Sequence, residues 1–233
     1  ALMRHNLKDI PSRRFCFFLV ALGLSSALFA QPISQIALQA DNLIDGISEE
    51  VMKSKVVLVT GNGISAIIPE NEIPPEAIKI DLTGTTLMPG MINAHEHPLI
   101  YSDDYQSAHL AASSAYKALL GLSNLQSLLR AGWTTIRVMG DADVYYAVQD
   151  IRRTIDEGIF VGPRLTGAGH YISTTGGGGD INYLSPEQKV IPDGLIADGA
   201  DEIRKAIRKE VKYGSDWIKI MVTGAFMSVG DDP

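Results

Sequence analysis

After the first thirty residues, apolar residues occur in short runs that are separated by turn residues. Two of these runs, residues 55–59 and 64–68, flank Gly61-Asn62-Gly63, and this arrangement predicts a β-hairpin. Residues 77–82 alternate between apolar and polar, as a half-buried strand does. The pattern therefore predicts a small β-sandwich module over residues 31–86, which is too short to be an independent enzyme.

Beyond residue 86 the apolar positions take the spacing of helices that alternate with apolar strands. Three helices are predicted: one over residues 107–131, one with Val144, Val148, Ile151 and Ile155 on one face, and one with Ile203, Ile207 and Val211. A strand ending at His97 is followed by strands over residues 134–139, 163–169 and 217–222, and by a long loop over residues 171–198.

This alternation of strands and helices predicts a parallel α/β sheet. A complete (β/α)8 barrel takes about 250 residues, whereas residues 87–233 number only 147. The pattern alone is compatible with the first half of such a barrel and with a complete small open sheet. The chemistry of the strand ends has to decide between the two.

The strand that begins this second part ends on two histidines with one residue between them, His95 and His97. Residues i and i+2 of an extended strand point to the same side, so both imidazoles can face one point. Imidazole is the commonest protein ligand for divalent transition metals. The alternative is two unrelated polar residues at the end of a strand.

Three further polar residues follow or lie within the later strands, namely Asp141, His170 and Lys219. The reactive groups of parallel α/β folds gather at the carboxyl ends of the strands, so these residues and the histidine pair are expected on one face. A lysine inside a buried strand is unfavourable unless it is neutralised, paired or made a ligand. The alternative for Lys219 is a side chain whose charged head reaches water.

Four segments carry a resemblance to a known family: residues 86–97 (TLMPGMINAHEH), 131–137 (AGWTTIR), 162–165 (GPRL) and 214–221 (GSDWIKIM). In this order they resemble the amidohydrolase superfamily, in particular its imidazolonepropionase-like and Xaa-Pro dipeptidase-like branch. The resemblance implies that residues 87–233 form the N-terminal half of a (β/α)8 TIM-type barrel.

The resemblance also implies a role for three residues. His95 and His97 match the pair that binds the more buried metal ion, and Lys219 matches the lysine that CO2 carboxylates so that its carbamate bridges two ions. Zn²⁺ is the expected metal. Two such ions lower the pKa of a bridging water that attacks a polarised carbonyl. In the family two further histidines and an aspartate complete the site from later strands, so we expect this chain alone to be inactive.

The chain departs from the family pattern at Gly178, where a histidine is expected within the stretch Ser173 to Asp180. The glycine run there is not a Walker-type phosphate loop, because no Lys-Ser/Thr follows it. His170 is expected either to reach the substrate or to stack within the loop. Asp141 is expected to cap a helix, and Glu96, which points away from its histidine neighbours, is expected to be structural.

The N-terminal residues change the expected location of the protein. Residues 1–30 combine Arg13-Arg14, a short apolar core and a small-residue zone, as a secretory signal peptide does. Cleavage is expected after Ala30, with Ala27 as the second choice and a retained anchor as the alternative. Cys16, the one cysteine, lies at the start of the apolar core and does not indicate lipid attachment. An exported protein, periplasmic or secreted, is therefore predicted.

The remaining residues 31–233 carry 16 Lys and Arg against 26 Asp and Glu, a net charge of −10. This balance argues against nucleic acid and anionic membrane surfaces as partners. The leading hypothesis is a metal-dependent hydrolase of amide bonds, in the first place peptide bonds, acting on a small molecule or peptide. The alternatives are a cyclic-amide hydrolase resembling imidazolonepropionase and a non-catalytic metal- or partner-binding fragment. The full-length protein could also form a homo-oligomer.

Overall fold

The computed structural model describes residues 34–225, so the predicted signal peptide lies outside the described residues. The described chain divides into two compact units. The first comprises residues 34–43 and 52–86, and the second comprises residues 44–51 and 87–225. Among the described residues, no helix combines the length and the hydropathy that crossing a bilayer requires.

The first unit contains five strands in one sheet and a short 3-10 helix, Glu70–Glu72. The strands are β1 (Gln35–Leu43), β2 (Met52–Lys53), β3 (Lys55–Thr60), β4 (Gly63–Pro69) and β5 (Ile78–Leu87). Their order is β2-β1-β3-β4, with β5 also paired to β1. The predicted hairpin is confirmed, because β3 and β4 are antiparallel and Thr60 pairs with Gly63 across the turn. The sandwich arrangement stays a prediction.

A small apolar core holds this sheet together. Its buried members are Ala37, Val56, Leu58 and Ala77, with Ile68 and other partly buried residues packed against them. Val56 and Leu58 of β3 lie together in this core, since side chains two residues apart share one face of a strand.

The second unit is mixed α/β, as predicted. Its strands are β6 (Met91–Glu96), β7 (Trp133–Met139), β8 (Arg164–Ala168), β9 (Tyr171–Ser173), β10 (Leu195–Ile196) and β11 (Lys219–Met221). Its helices are α1 (Tyr105–Ala111), α2 (Ser114–Arg130), α3 (Ala147–Asp156) and α4 (Gly199–Lys212). Strands β6, β7 and β8 pair in parallel, and so do β10, β9 and β11. Parallel pairing is therefore confirmed.

The region between β8 and β11 differs from the prediction. Residues 163–169 were expected to form one strand before a long loop, but β8 ends at Ala168 and a further strand, β9, begins at Tyr171. The backbone N–H groups of Gly169 and His170 leave the sheet and donate to the Glu210 carboxylate of α4 at 3.0 and 3.1 Å. The loop prediction is also wrong at β10, which pairs in parallel with β9.

The predicted helix over residues 107–131 is two helices, α1 and α2. Ala112 is extended between them, and the Ser113 side chain accepts a hydrogen bond from the N–H of Tyr116 at 3.2 Å. Serine at this position accepts a hydrogen bond from one of the free N–H groups of the first turn and so favours the start of a new helix. The apolar spacing runs through both helices, which is why periodicity alone joined them.

The main core of this unit lies where α2 and α3 cover β7 and β8. Its buried residues are Leu99, Leu125, Ile136, Val138, Ala147, Val148, Ile151 and Leu165. Burial of such aliphatic side chains stabilises a fold by about 1.5–3 kcal/mol each. The core thus fixes the strands at whose ends the predicted site residues lie.

Candidate metal centre

The imidazoles of His95 and His97 converge at the end of β6. Their Nε2 atoms lie 3.2 Å apart and their ring planes meet at 62°. The convergence follows from the strand, because residues two apart lie on one side. His95 is exposed and His97 is half-buried, so the pair can be reached from solvent.

One hydrogen bond sets the orientation of the His97 ring. Its Nδ1 lies 2.6 Å from the carbonyl oxygen of Gly140, which directly follows β7. A carbonyl oxygen can only accept, so Nδ1 carries the hydrogen and the Nε2 of the neutral ring keeps its lone pair toward His95. Burial, with the charges of His95 and Lys219, lowers the pKa of His97 and outweighs the opposing effects of Gly140 and Glu96. The neutral, ligand-competent ring is therefore favoured.

The spacing of the two nitrogens fits a shared metal ion. Nitrogen ligands lie about 2.0–2.1 Å from Zn²⁺, so two of them on a tetrahedral ion are about 3.3 Å apart. The observed separation of 3.2 Å between the Nε2 atoms matches this value. A carbonyl bond to the second ring nitrogen, as Gly140 supplies, is the usual support of a metal-bound histidine.

Lys219 begins β11, which belongs to the separate three-stranded sheet β10-β9-β11. It is half-buried and pairs in parallel register with Tyr171 of β9. The Tyr171 ring packs edge-on against His97 with 6.4 Å between the ring centroids. The charge of Lys219 also reaches His97, since it contributes to the lowered pKa of that histidine. Lys219 therefore pairs with the strand residue whose ring contacts His97.

The position of Lys219 in its strand differs from the prediction. The strand was expected over residues 217–222 with the lysine near its carboxyl end, but β11 begins at Lys219. The reason is that the N–H groups of Asp216 and Trp217 both point to the Gly167 carbonyl instead of forming a ladder. In the described part of the chain, no three His, Cys, Asp or Glu residues cluster as a metal site. The candidate centre thus consists of two imidazoles and one lysine.

Asp141 does not cap a helix, and that prediction is wrong. Its side chain is buried and accepts a hydrogen bond from the N–H of Leu99 at 3.1 Å. The N–H of Ala147, at the start of α3, instead reaches the Asp143 carboxylate at 2.9 Å. Burial raises the pKa of Asp141 well above its usual range. The residue therefore fastens the segment after His97 to the end of β7.

Glu96 makes local contacts. Its carboxylate accepts hydrogen bonds from the Asn93 side-chain amide at 2.6 Å and from the N–H of His97 at 3.1 Å. Both hydrogen bonds join residues at the end of β6 to one another. They restrict the backbone that carries the two imidazoles. This arrangement is the structural role expected for a residue on the opposite side of the strand.

His170 is fully buried between β8 and β9. Its Nδ1 lies 3.0 Å from the Glu210 carboxylate, and its ring packs edge-on against Tyr146 with 4.4 Å between centroids. Its Nε2 has no hydrogen-bond partner among the described residues. This environment is that of a packed side chain, and a substrate contact of His170 stays a prediction.

The glycine run explains why residue 178 is not a histidine here. A β-carbon placed on Gly178 would lie 2.6 Å from the Met221 methyl carbon and 2.7 Å from the Ala225 β-carbon. The N–H of Gly178 also donates to the Thr223 carbonyl at 3.0 Å. A side chain at this position would therefore displace the segment that follows β11.

Sequence reasoning missed a buried polar cluster around Lys117. The ammonium of Lys117 is 2.8 Å from His109 Nδ1 and 2.8 Å from the Ala142 carbonyl. A signal was present, because Lys117, Gly121 and Leu125 recur at intervals of four residues on the buried face of α2. A lysine on an apolar stripe indicates a buried partner.

Glu210 gives a testable pH dependence of stability. Burial would raise the pKa of its carboxyl, but hydrogen bonds from His170 and Ser215 outweigh burial and lower the pKa below 4.5. A depressed pKa contributes stability that is present above pH 4.5 and lost as the pH falls through the folded-state value. We expect Glu210→Gln to lower the free energy of unfolding, with a deficit that shrinks below that pH. Urea unfolding from about pH 7 to about pH 3 measures it, and a deficit independent of pH would contradict the assignment.

The fold and the site together define a class: a parallel α/β protein with candidate metal ligands at the carboxyl end of a strand. The sequence profile of the amidohydrolase family matches residues 86–233, and the chain belongs to this family.

Known relatives agree with this membership. Ochratoxinase of Aspergillus niger is 26% identical over 204 residues, which cover 79% of this chain and 41% of that enzyme. A Xaa-Pro dipeptidase structure with bound methionine superposes with a TM-score of 0.72 at 31% identity, covering 84% of this chain and 49% of the other. A prolidase complexed with N-methylphosphonate-L-proline superposes with a TM-score of 0.73 at 26% identity, covering 85% and 49%. The chain thus spans about half the length of these relatives or less.

Proposed function

We propose that the full-length protein is a metal-dependent hydrolase of amide C–N bonds, in the first place peptide bonds. The observation that carries the proposal is the imidazole pair, with Nε2 atoms 3.2 Å apart and His97 held by the Gly140 carbonyl. Family membership supports the reaction class. The dipeptidase and prolidase neighbours support a peptide substrate, and the ochratoxinase relative extends the range of amides to be tested.

The finer architecture is part of this proposal. We infer that the second unit is the first half of a TIM-type barrel and that the first unit belongs to a β-sandwich. The parallel pairing of β6 with β7 and of β7 with β8 supports the barrel. Superposition on about half of each of the neighbouring structures supports the same arrangement.

His95, His97 and Lys219 would hold two divalent ions, with Zn²⁺ the expected metal. Bound there, the ions would lower the pKa of a water molecule and polarise the amide carbonyl. The neutral Lys219 amine would add to CO2 and release a proton, which gives an anionic carbamate in place of a cation. This exchange suits the location, because a cation beside two ligand imidazoles opposes metal binding whereas an anionic oxygen favours it.

The chain's own residues prepare the site for this chemistry. The Gly140 carbonyl keeps the hydrogen of His97 on Nδ1 and thereby directs Nε2 outward. Tyr171 packs edge-on against the His97 ring. The exposed His95 leaves one side open to a peptide.

A chelation experiment tests the proposed function. We expect the purified full-length protein to hydrolyse Xaa-Pro dipeptides, to lose this activity in the presence of a chelator and to regain it with added Zn²⁺, because the ligands here are side chains that release metal to a stronger chelator. The rate of amino acid release measures it. Cleavage of a cyclic amide without dipeptide cleavage would favour the imidazolonepropionase-like alternative. Zinc binding without any hydrolysis would favour the non-catalytic one.

We place the full-length protein outside the cytoplasm, on the basis of residues 1–30. The net charge of −10 over residues 31–233 supports small-molecule or peptide substrates over nucleic acid.

A further inference from the structure

Lys117 of α2 is a buried cation outside the candidate metal centre. Lys117 is 3% exposed, and it is the one buried lysine or arginine among the described residues. Its ammonium donates to the Ala142 carbonyl at 2.8 Å and to His109 Nδ1 at 2.8 Å, and it lies 4.0 Å from the Asp143 carboxylate. A buried charge is costly, so a residue of this kind needs a specific partner.

One buried carboxylate, that of Asp143, lies 4.0 Å from the Lys117 ammonium. Burial lowers the pKa of Lys117, and the negative charges of Asp143, Asp141 and Asp193, which are exposed by 2%, 0% and 0%, oppose this effect. Two of these aspartates lie in the segment directly after β7. Lys117 and Asp143 therefore offset part of the cost of each other's burial at this strand end.

We call residues 140–143 the β7 turn. Gly140 has a positive φ of 84°, and the N–H of Asp143 donates back to the Asp141 carbonyl at 2.9 Å. The N–H of Asp141 donates to the Gly169 carbonyl at 3.0 Å, and its side chain holds the N–H of Leu99.

Every residue of the β7 turn thus has a fixed contact, and its first carbonyl, that of Gly140, is the acceptor that orients His97. Ala142, two residues further on, is the residue held by Lys117.

We propose that Lys117 is a positioning residue, which through Ala142 and the β7 turn keeps the Gly140 carbonyl aimed at His97 Nδ1. Its effect on metal binding rests on the proposed function, whereas its effect on the His97 tautomer does not. Without the ammonium, the Ala142 carbonyl keeps only the His109 ring at 3.0 Å, Asp143 loses its neighbouring cation, and the turn relaxes. The His97 ring then populates the tautomer whose Nε2 carries the hydrogen and cannot bind metal.

The test compares Lys117→Met with the wild-type full-length protein. Side-chain ¹⁵N NMR of the metal-free protein reports the His97 tautomer, and titration with Zn²⁺ reports affinity. We expect the wild type to show one tautomer, with the hydrogen on Nδ1, and the variant to show a mixture. We also expect zinc affinity to fall about 10- to 100-fold, as for other residues that orient a metal-bound histidine. Ile151→Val, a core change outside the β7 turn, is the control for lost stability and should leave both readouts unchanged.

The possible outcomes separate the two proposals. Unchanged tautomer and affinity in Lys117→Met would overturn the positioning role. If the wild type binds no zinc, the proposed function fails, and the tautomer still decides the role of Lys117. If Lys117→Met does not fold, Lys117→Gln replaces it, because glutamine keeps an N–H donor but is one atom shorter and carries no charge. An Ile151→Val effect equal to that of the lysine variants would also overturn the proposal.

Discussion

Replacement of His97 by alanine should weaken zinc binding to the full-length protein by more than about 100-fold and remove measurable amide hydrolysis. The expected magnitude exceeds the 10- to 100-fold loss that follows when only a supporting residue of a metal ligand is removed. The physical reason is that His97 Nε2 faces His95 Nε2 at 3.2 Å and its lone pair is directed there by the Gly140 carbonyl. Zinc titration and dipeptide hydrolysis measure the two effects.

His170→Ala is the matched control for this experiment, since His170 is also a histidine at the end of a strand. It is buried against Tyr146 and Glu210, so its loss should lower stability while zinc affinity stays within a few-fold of the wild type. A loss of zinc affinity in His170→Ala as large as in His97→Ala would show that metal binding does not single out the pair on β6.

Replacement of Lys219 by methionine should lower kcat by at least about 100-fold, the scale seen when one preorganised electrostatic group is removed from an active site. Methionine keeps a long apolar side chain, so packing around β11 changes little while the carbamate can no longer form. Mass spectrometry of the native protein should show an additional mass equal to one CO2, and the variant should lack it. Kinetics at saturating substrate measures the loss of turnover.

Lys209→Met controls for the removal of any lysine. Lys209 lies on α4, away from β6. Its ammonium is 6.0 Å from the ring centroid of Tyr146. Its replacement should leave kcat and the bound CO2 unchanged. Full activity and metal content in Lys219→Met would contradict the ligand assignment.

Local patterns in the sequence were sufficient for the parts of the fold that depend on neighbours along the chain. The hairpin at Gly61-Asn62-Gly63 follows from turn chemistry, and the convergence of His95 with His97 follows from the two-residue period of a strand. Parallel pairing followed from the alternation of strands with helices. The assignment of Lys219 to the same site rests on family resemblance and stays a prediction.

The parts that could not be predicted depend on contacts between distant residues. The break between β8 and β9 exists because Glu210, about forty residues further along the chain, accepts hydrogen bonds from Gly169 and His170. Asp141 was expected to cap a helix. Its carboxylate instead accepts a hydrogen bond from the N–H of Leu99, a residue 42 positions earlier. No local propensity encodes such pairs.

The buried acidic strand end shows how stability and the candidate site are connected. Asp143 is buried 4.0 Å from the Lys117 ammonium of α2. The same turn presents the carbonyl that orients His97. The proposed role of Lys117 would make buried polar groups set the geometry of the imidazole pair.

Anomalous X-ray diffraction from zinc-loaded crystals of the full-length protein can establish whether His95, His97 and Lys219 hold metal. We predict an anomalous peak about 2.0–2.1 Å from the Nε2 atoms of both histidines. We also predict electron density for a carbamate on the side chain of Lys219. A zinc peak bound elsewhere, or no zinc at the two histidines, would contradict the account.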